Sequence, residues 1–185
     1  MSYLHHKPVP KIVRPLKEEW FLDIQTHIRE LRRVFDWPGV AYHDKSSDPH
    51  DVFNRWVWYN LPLLVRYHHD PQFIAYVSDL AGRPVKPTYV FTSMYGADGI
   101  CPLHVDRPQC QFSVDMLVAS NHKDKPWPIY VEDEPYILER PGDAVFYSGT
   151  GQKHYRNPMK EESDATKVDL VFFHFAPIEW QGELK

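Results

Sequence analysis

The chain has 185 residues, 43% hydrophobic and 25% charged, with a formal net charge of −4 and a pI near 6.2. That suits one globular domain, residues 1–185, whose core needs no covalent staples. The acidic balance excludes a general attraction to polyanions, so no nucleic-acid partner is expected; no segment has the length of a membrane-spanning helix, and Cys101 and Cys110 are too few for a disulfide framework. The expected setting is reducing and cytoplasmic, since Met1-Ser2-Tyr3-Leu4-His5-His6-Lys7-Pro8 lacks the apolar run of a secretion signal.

Prolines 8, 10 and 15 make the first 16 residues an extended arm. From Lys17, Trp20, Phe21, Ile24, Ile28, Leu31 and Phe35 recur at helical steps with charged residues between them, predicting an amphipathic helix that stops near Trp37-Pro38-Gly39. After a polar loop, the apolar stretch from Asp51 through Phe53, Trp56, Val57 and Leu61 reads as a second helix, split at Pro62 and ended at His68-His69-Asp70-Pro71. A short helix from Gln72 to Leu80 stops at Ala81-Gly82-Arg83-Pro84, so residues 1–82 are expected to be mainly helical support.

The second half changes period. Residues 88–95 are rich in β-branched and aromatic side chains, and Phe112, Val114, Met116 and Val118 alternate along the next strand. Residues 127–131, 136–138, 144–147 and 168–175 give four more strands, with a tight turn at Pro141-Gly142-Asp143. The expected fold is α+β, a jelly-roll core behind N-terminal supporting helices.

His-x-Asp/Glu occurs three times, where chance alone predicts about 1.5 matches from 11 histidines and 25 acids, so context must choose. His68 and Asp70 end a helix in a polar cluster, which reads as solvated surface. His122 and Asp124 lie in a polar turn beside two lysines that would repel a cation. His104 and Asp106 lie between strands, where residues two apart share a face and can aim at one ion. His154 follows the strand-and-turn from Gly142 to Thr150 and can supply the third ligand. Two imidazoles and one carboxylate compose the facial triad of non-haem Fe(II) oxygenases. His174, in an aromatic strand, is either a packed core residue or a cavity lining.

The order His104-x-Asp106, a gap of about fifty residues, and His154 after Pro-Gly-Asp-Ala-Val-Phe-Tyr resembles the 2-oxoglutarate/Fe(II)-dependent dioxygenase superfamily, and the closing strand is similar to its prolyl-hydroxylase-like branch. The resemblance covers about residues 85–178 and implies a double-stranded β-helix, or jelly-roll, catalytic core. It further implies Fe(II) on His104, Asp106 and His154, 2-oxoglutarate and O2 as co-substrates, and hydroxylation of an unactivated C–H bond with release of succinate and CO2. The presence of Asp106 argues against the related halogenases, which lack the carboxylate.

Such a co-substrate needs a cation for its far carboxylate, because a buried unpaired carboxylate is costly. The family pattern points first to Lys167, at the start of the closing strand, with Arg156 and Arg107 as competitors; Arg107 is expected to point away. Tyr89, Thr92 and Tyr95 could add hydroxyl donors. Gln111, Ser113 and Asp115 face the cavity if the Phe112 face packs elsewhere, and Trp127, Tyr130 and Trp180 could line a mouth. The substrate expected is an amino acid, an amino-acid-derived metabolite or a peptide side chain. The competing reading is a non-catalytic jelly-roll metal- or ligand-binding module, cupin-like, weakened by the lack of any His-x-His pair.

Overall fold

The computed structural model describes residues 7–35, 53, 55–96, 99–121, 126–159 and 167–183. Helix α1 (Glu18–Phe35) carries Glu18 and Glu19 in its first turn and Arg32 and Arg33 in its last, which suits its dipole. It buries Phe21, Ile24 and Ile28. Helices α2 (Pro62–His68) and α3 (Pro71–Ala81) each begin at a proline. The Asp70 carboxylate caps α3 by accepting from Gln72 N at 2.8 Å, and Gly82 closes it at φ 66°. The stop expected at Trp37-Pro38-Gly39 lies outside the described residues.

The strands are β1 (Lys11–Val13), β2 (Arg55–Tyr59), β3 (Val85–Tyr95), β4 (Cys101–His104), β5 (Phe112–Ser120), β6 (Ile129–Val131), β7 (Glu134–Tyr136), β8 (Ala144–Tyr147), β9 (His154–Arg156) and β10 (Val168–Pro177). They form a six-stranded sheet in the order β1-β8-β5-β10-β3-β2 and a four-stranded sheet in the order β4-β9-β6-β7. Every pairing is antiparallel. From β3 onward the chain passes back and forth between the two sheets, a jelly-roll-like winding.

The six-stranded sheet is covered on both faces. Val114, Val171, Phe173 and Phe175 pack under Ile24, Ile28 and Phe73 of the helices. Phe91, Leu117, Val145, Leu170 and Phe172 point the other way, against Ile129 and Val131 of the small sheet. A strand buried on both faces reads as a continuous apolar run, as Leu170 to Phe173 does. Arg32 pairs with Asp169 and donates from Nη2 to the Tyr95 carbonyl at 3.0 Å, tying α1 to the sheet. At the expected Pro141-Gly142-Asp143 turn, Gly142 takes φ 91° and the Asp143 carboxylate holds Arg14 at 2.7 Å.

The stretch expected as a second helix divides differently. Residues 55–59 are β2, paired with the edge of β3 from Arg55↔Tyr95 to Tyr59↔Phe91, and Asn60 ends it at φ 51°. The apolar density there suits a half-buried pleated surface as well as a helix, and the open edge of β3 decides between them.

Candidate metal centre and its cavity

His104 ends β4, Asp106 follows two residues later, and His154 opens β9; the two histidines face each other in the sheet register. Asp106 N donates to Gly149 O at 2.8 Å, locking the segment after β4 onto the turn before β9. Gly149 is needed for that approach. A Cβ there would stand 2.3 Å from Asp106 Oδ2 and 2.3 Å from the Cys110 carbonyl.

Asp106 Oδ1 lies 3.4 Å from His104 Nε2 and 3.5 Å from His154 Nε2. The ligating atoms of the three residues all fall within 4.8 Å of one another. His104 Nδ1 is 2.7 Å from the Pro102 carbonyl and His154 Nδ1 is 3.0 Å from the Gln152 carbonyl. A carbonyl only accepts, so each Nδ1 carries hydrogen and each Nε2 is the ring nitrogen turned toward Asp106, the atom a metal would take. Ser113 Oγ donates to Asp106 Oδ2 at 3.1 Å and orients the carboxylate.

The charges fit a cation. Burial opposes ionisation of Asp106, but hydrogen bonds from His104 and His154 hold its carboxyl well below the usual carboxylate range. Burial works against a charge on His104 too, yet the Asp106 carboxylate lifts its pKa to about 10, so a metal entering here takes the place of a proton.

The triad opens on a cavity of about 400 Å³. Among the described residues, four buried side-chain polar atoms lack a hydrogen-bond partner: Arg55 Nε, Asp115 Oδ1, Arg156 Nη2 and His174 Nε2. All four residues line this cavity. An unsatisfied buried group costs about 1–3 kcal/mol, so their concentration beside the triad marks a place a ligand completes. Arg156 shares the face of His154, as an extended chain requires; its Nη1 donates to the Trp127 carbonyl at 2.6 Å. Asp115 accepts from Tyr147 Oη at 3.0 Å, and burial pushes its carboxyl up to about 7.

His174 is placed by an irregularity. The register of β10 against β3 slips between Phe173 and Phe175, and the freed His174 carbonyl accepts from His68 Nε2 and Thr88 Oγ1, each at 2.9 Å. His174 Nδ1 meets Ser113 Oγ at 3.0 Å. Ser113 gives its proton to Asp106, so His174 Nδ1 donates and its Nε2 is a bare acceptor in the cavity. Burial lowers the pKa of His174 to about 4, so the ring is neutral.

The other expected residues divide. Tyr89 and Tyr95 line the cavity, the first 3.1 Å from Cys110 Sγ and the second accepting from Arg55 Nη1 at 3.0 Å. Arg107, expected to point away, also lines it. Ser113 and Asp115 face the site as expected; Gln111 does not line the cavity. Lys167 does not line it either. It precedes β10 by one position, and since Val168 and Leu170 face the cavity side, alternation puts Lys167 on the opposite face; its backbone pairs with Asn121. Thr92 turns to the Leu170 carbonyl at 2.9 Å. Trp127 packs on Tyr95, Tyr130 stacks on Tyr155 and Trp180 lies by Lys86, so none forms a mouth to this cavity.

His68 is not solvated surface. It is 1% exposed and its pKa is lowered by burial to about 3, a neutral core histidine that supports the bulge at His174. His122 and Asp124 lie outside the described residues. A second donor group, Asp106, Cys110 and His174, shares Asp106, but burial pushes the Cys110 thiol up to about 12, so it stays protonated. Arg55 was missed because its stretch reads as helix. In β2, alternation carries Arg55, Val57 and Tyr59 to the cavity, and the run Arg-Trp-Val-Trp-Tyr has the β-branched and aromatic character that could have shown it.

Comparison with solved structures gives the class first: the chain has the fold of the 2-oxoglutarate/Fe(II) oxygenases. One such structure is HygX from Streptomyces hygroscopicus with nickel, 2-oxoglutarate and hygromycin B bound, at TM-score 0.62 and 12% identity over 94% of this chain and 84% of that one. Another is AviO1 from Streptomyces viridochromogenes Tue57, at TM-score 0.67 and 15% identity over 95% and 93%. A third is a Pseudomonas putida prolyl-4-hydroxylase, at TM-score 0.64 and 9% identity over 92% and 93%. At these identities the likeness is one of fold. No protein-family model matches the chain, and no curated protein matches it in sequence.

Proposed function

We propose that the protein is a single-domain Fe(II)- and 2-oxoglutarate-dependent dioxygenase, built on a double-stranded β-helix, that hydroxylates an unactivated C–H bond of a small molecule. The observation that carries this reading is the convergence of His104, Asp106 and His154 within 4.8 Å at the edge of a cavity where Arg156 keeps a buried, unpartnered N–H. HygX, of the same fold, holds nickel, 2-oxoglutarate and hygromycin B together, which supports a small-molecule substrate.

His104, Asp106 and His154 would hold the metal through two imidazoles and one carboxylate. Bound Fe(II) supplies O2 activation coupled to oxidation of 2-oxoglutarate to succinate and CO2. Ser113 keeps Asp106 from rotating away, and the Pro102 and Gln152 carbonyls keep both imidazoles aimed. Arg156 takes the far carboxylate of 2-oxoglutarate through its free Nη2, and Asp115, protonated near neutral pH, donates from Oδ1 rather than repelling it. Tyr89 and Tyr95 close the pocket around the co-substrate and exclude water.

Anaerobic addition of Fe(II) and 2-oxoglutarate tests this. The expected result is a weak visible charge-transfer band, lost in His104→Ala and weakened in Arg156→Gln. No band in the wild type, together with unchanged metal binding in His104→Ala, refutes the reading.

A further inference from the structure

The far carboxylate of 2-oxoglutarate needs one cation, and of the three arginines on the cavity wall two, Arg55 and Arg156, keep a buried N–H without a partner. The described residues give neither of them an ion pair. The acids on the lining do not offset the second charge: Asp106 faces two imidazoles, and Asp115 gives Oδ2 to Tyr147. A buried guanidinium N–H without a partner is costly, and among the described residues Arg55 has no counter-ion, so it calls for an anion of its own.

We propose that Arg55 anchors the substrate, and that the substrate is a small organic acid whose carboxylate pairs with Arg55 while its apolar body lies along the aromatic wall of the cavity. This rests on the 2-oxoglutarate reading in that Arg156 is taken by the co-substrate.

The Arg55 guanidinium is held for the purpose. Its Nη1 donates to Ser93 Oγ at 3.1 Å and Tyr95 Oη at 3.0 Å, and its Cζ sits 4.1 Å from the centre of the Phe53 ring. Its Nε has no partner among the described residues, and Nε lies on the edge by which a guanidinium takes a planar carboxylate side-on. The two cations have different aromatic neighbours. The Tyr95 hydroxyl accepts from Arg55, while its ring meets Trp127 at 4.8 Å, and Arg156 lies 5.0 Å over that same indole.

The wall leads from Arg55 toward the metal. Tyr59, 51% exposed, marks its outer end on β2 and packs on Phe91 at 5.3 Å. Phe91 stacks on Phe172 at 4.6 Å and on His174 at 5.5 Å, and Ser113 joins His174 to Asp106. An apolar body with its carboxylate on Arg55 therefore lies over aromatic rings that end beside the triad. A cavity of about 400 Å³ that also admits 2-oxoglutarate leaves room for a small molecule only.

Phenylacetate, a ring bearing one carboxylate, and phenylacetamide, its uncharged counterpart, are titrated by calorimetry into protein loaded with Ni(II) and saturating 2-oxoglutarate, and into protein with neither. The acid is expected to bind wild type about tenfold or more tightly than the amide. Arg55→Gln removes that preference and keeps 2-oxoglutarate affinity within about threefold, whereas Arg156→Gln loses 2-oxoglutarate affinity and keeps the preference. Arg55→Lys, which keeps the charge without the fork, retains part of the preference and covers the case in which Arg55→Gln misfolds. Equal binding of acid and amide to wild type, or binding of neither, overturns the proposal. So does a loss of 2-oxoglutarate affinity in Arg55→Gln as large as in Arg156→Gln, which assigns both arginines to the co-substrate. If wild type binds no 2-oxoglutarate while unloaded protein prefers the acid through Arg55, the co-substrate reading falls and the Arg55 site stands.

Discussion

On the helix side of β10, Val171, Phe173 and Phe175 pack with Phe73, whose ring meets the two phenylalanines edge-on at 5.1 and 5.5 Å. On the other side of the same sheet, Phe91 and Phe172 give way to Ser113, Asp115 and His174. The two sides handle polarity in opposite ways. Toward the helices, His68 spends its Nε2 on the His174 carbonyl and Arg32 is paired with Asp169. Among the described residues, all four that carry a buried polar atom without a partner line the cavity. An interior that only had to be stable would not gather unsatisfied groups beside three potential metal ligands, so the cavity side is built to take a ligand and the helix side to hold the fold.

The largest effect should come from the triad. His104→Ala or His154→Ala is expected to abolish Fe(II) binding and 2-oxoglutarate turnover, read by calorimetry and succinate release, with little change in melting temperature. Phe173→Ala should do the opposite, costing about 3–5 kcal/mol in urea unfolding while leaving the metal affinity of the folded fraction intact. A mutant of either kind that failed in both assays would break the division between the two sides.

Arg156→Gln should weaken 2-oxoglutarate binding about ten- to a hundredfold by charge-transfer titration, without loss of stability, because the residue it replaces is a buried charge with an open donor. Asp115→Asn gives the smallest effect and the clearest sign. Burial raises the Asp115 pKa from 3.8 to about 7, so between those values the folded state holds a proton that the unfolded chain has released. Its stabilising contribution is complete below about pH 4 and is lost as pH rises through 7, with a slope of at most about 1.4 kcal/mol per pH unit. The asparagine variant should lack this slope in unfolding experiments and be the more stable protein at pH 8.

Much of the core could be read from the chain alone. Amphipathic spacing in α1, capping at Asp70 and Gly82, and the alternation of Phe112, Val114, Met116 and Val118 are local signals, and the elements they predict are present. His104, Asp106 and His154 were also legible, because residues two apart on an extended segment share a face and a strand before His154 could deliver it. What the chain could not show was which face of a strand meets the cavity. Lys167 and Arg156 both offer a positive charge, and only the parity of β9 and β10 against the cavity separates them.

The sequence by itself determined the helices-then-strands order, the turn at Gly142 and the identity of three side chains that converge, since each depends on residues near one another in the chain or on a simple period. Tertiary structure alone decided that residues 55–59 pair with the edge of β3, that a slip in β10 turns His174 inward with His68 behind it, and that Arg55 meets Tyr95 while Arg156 lies over Trp127. These are long-range pairings, whose energy comes from partners tens of residues away and leaves no local period to read.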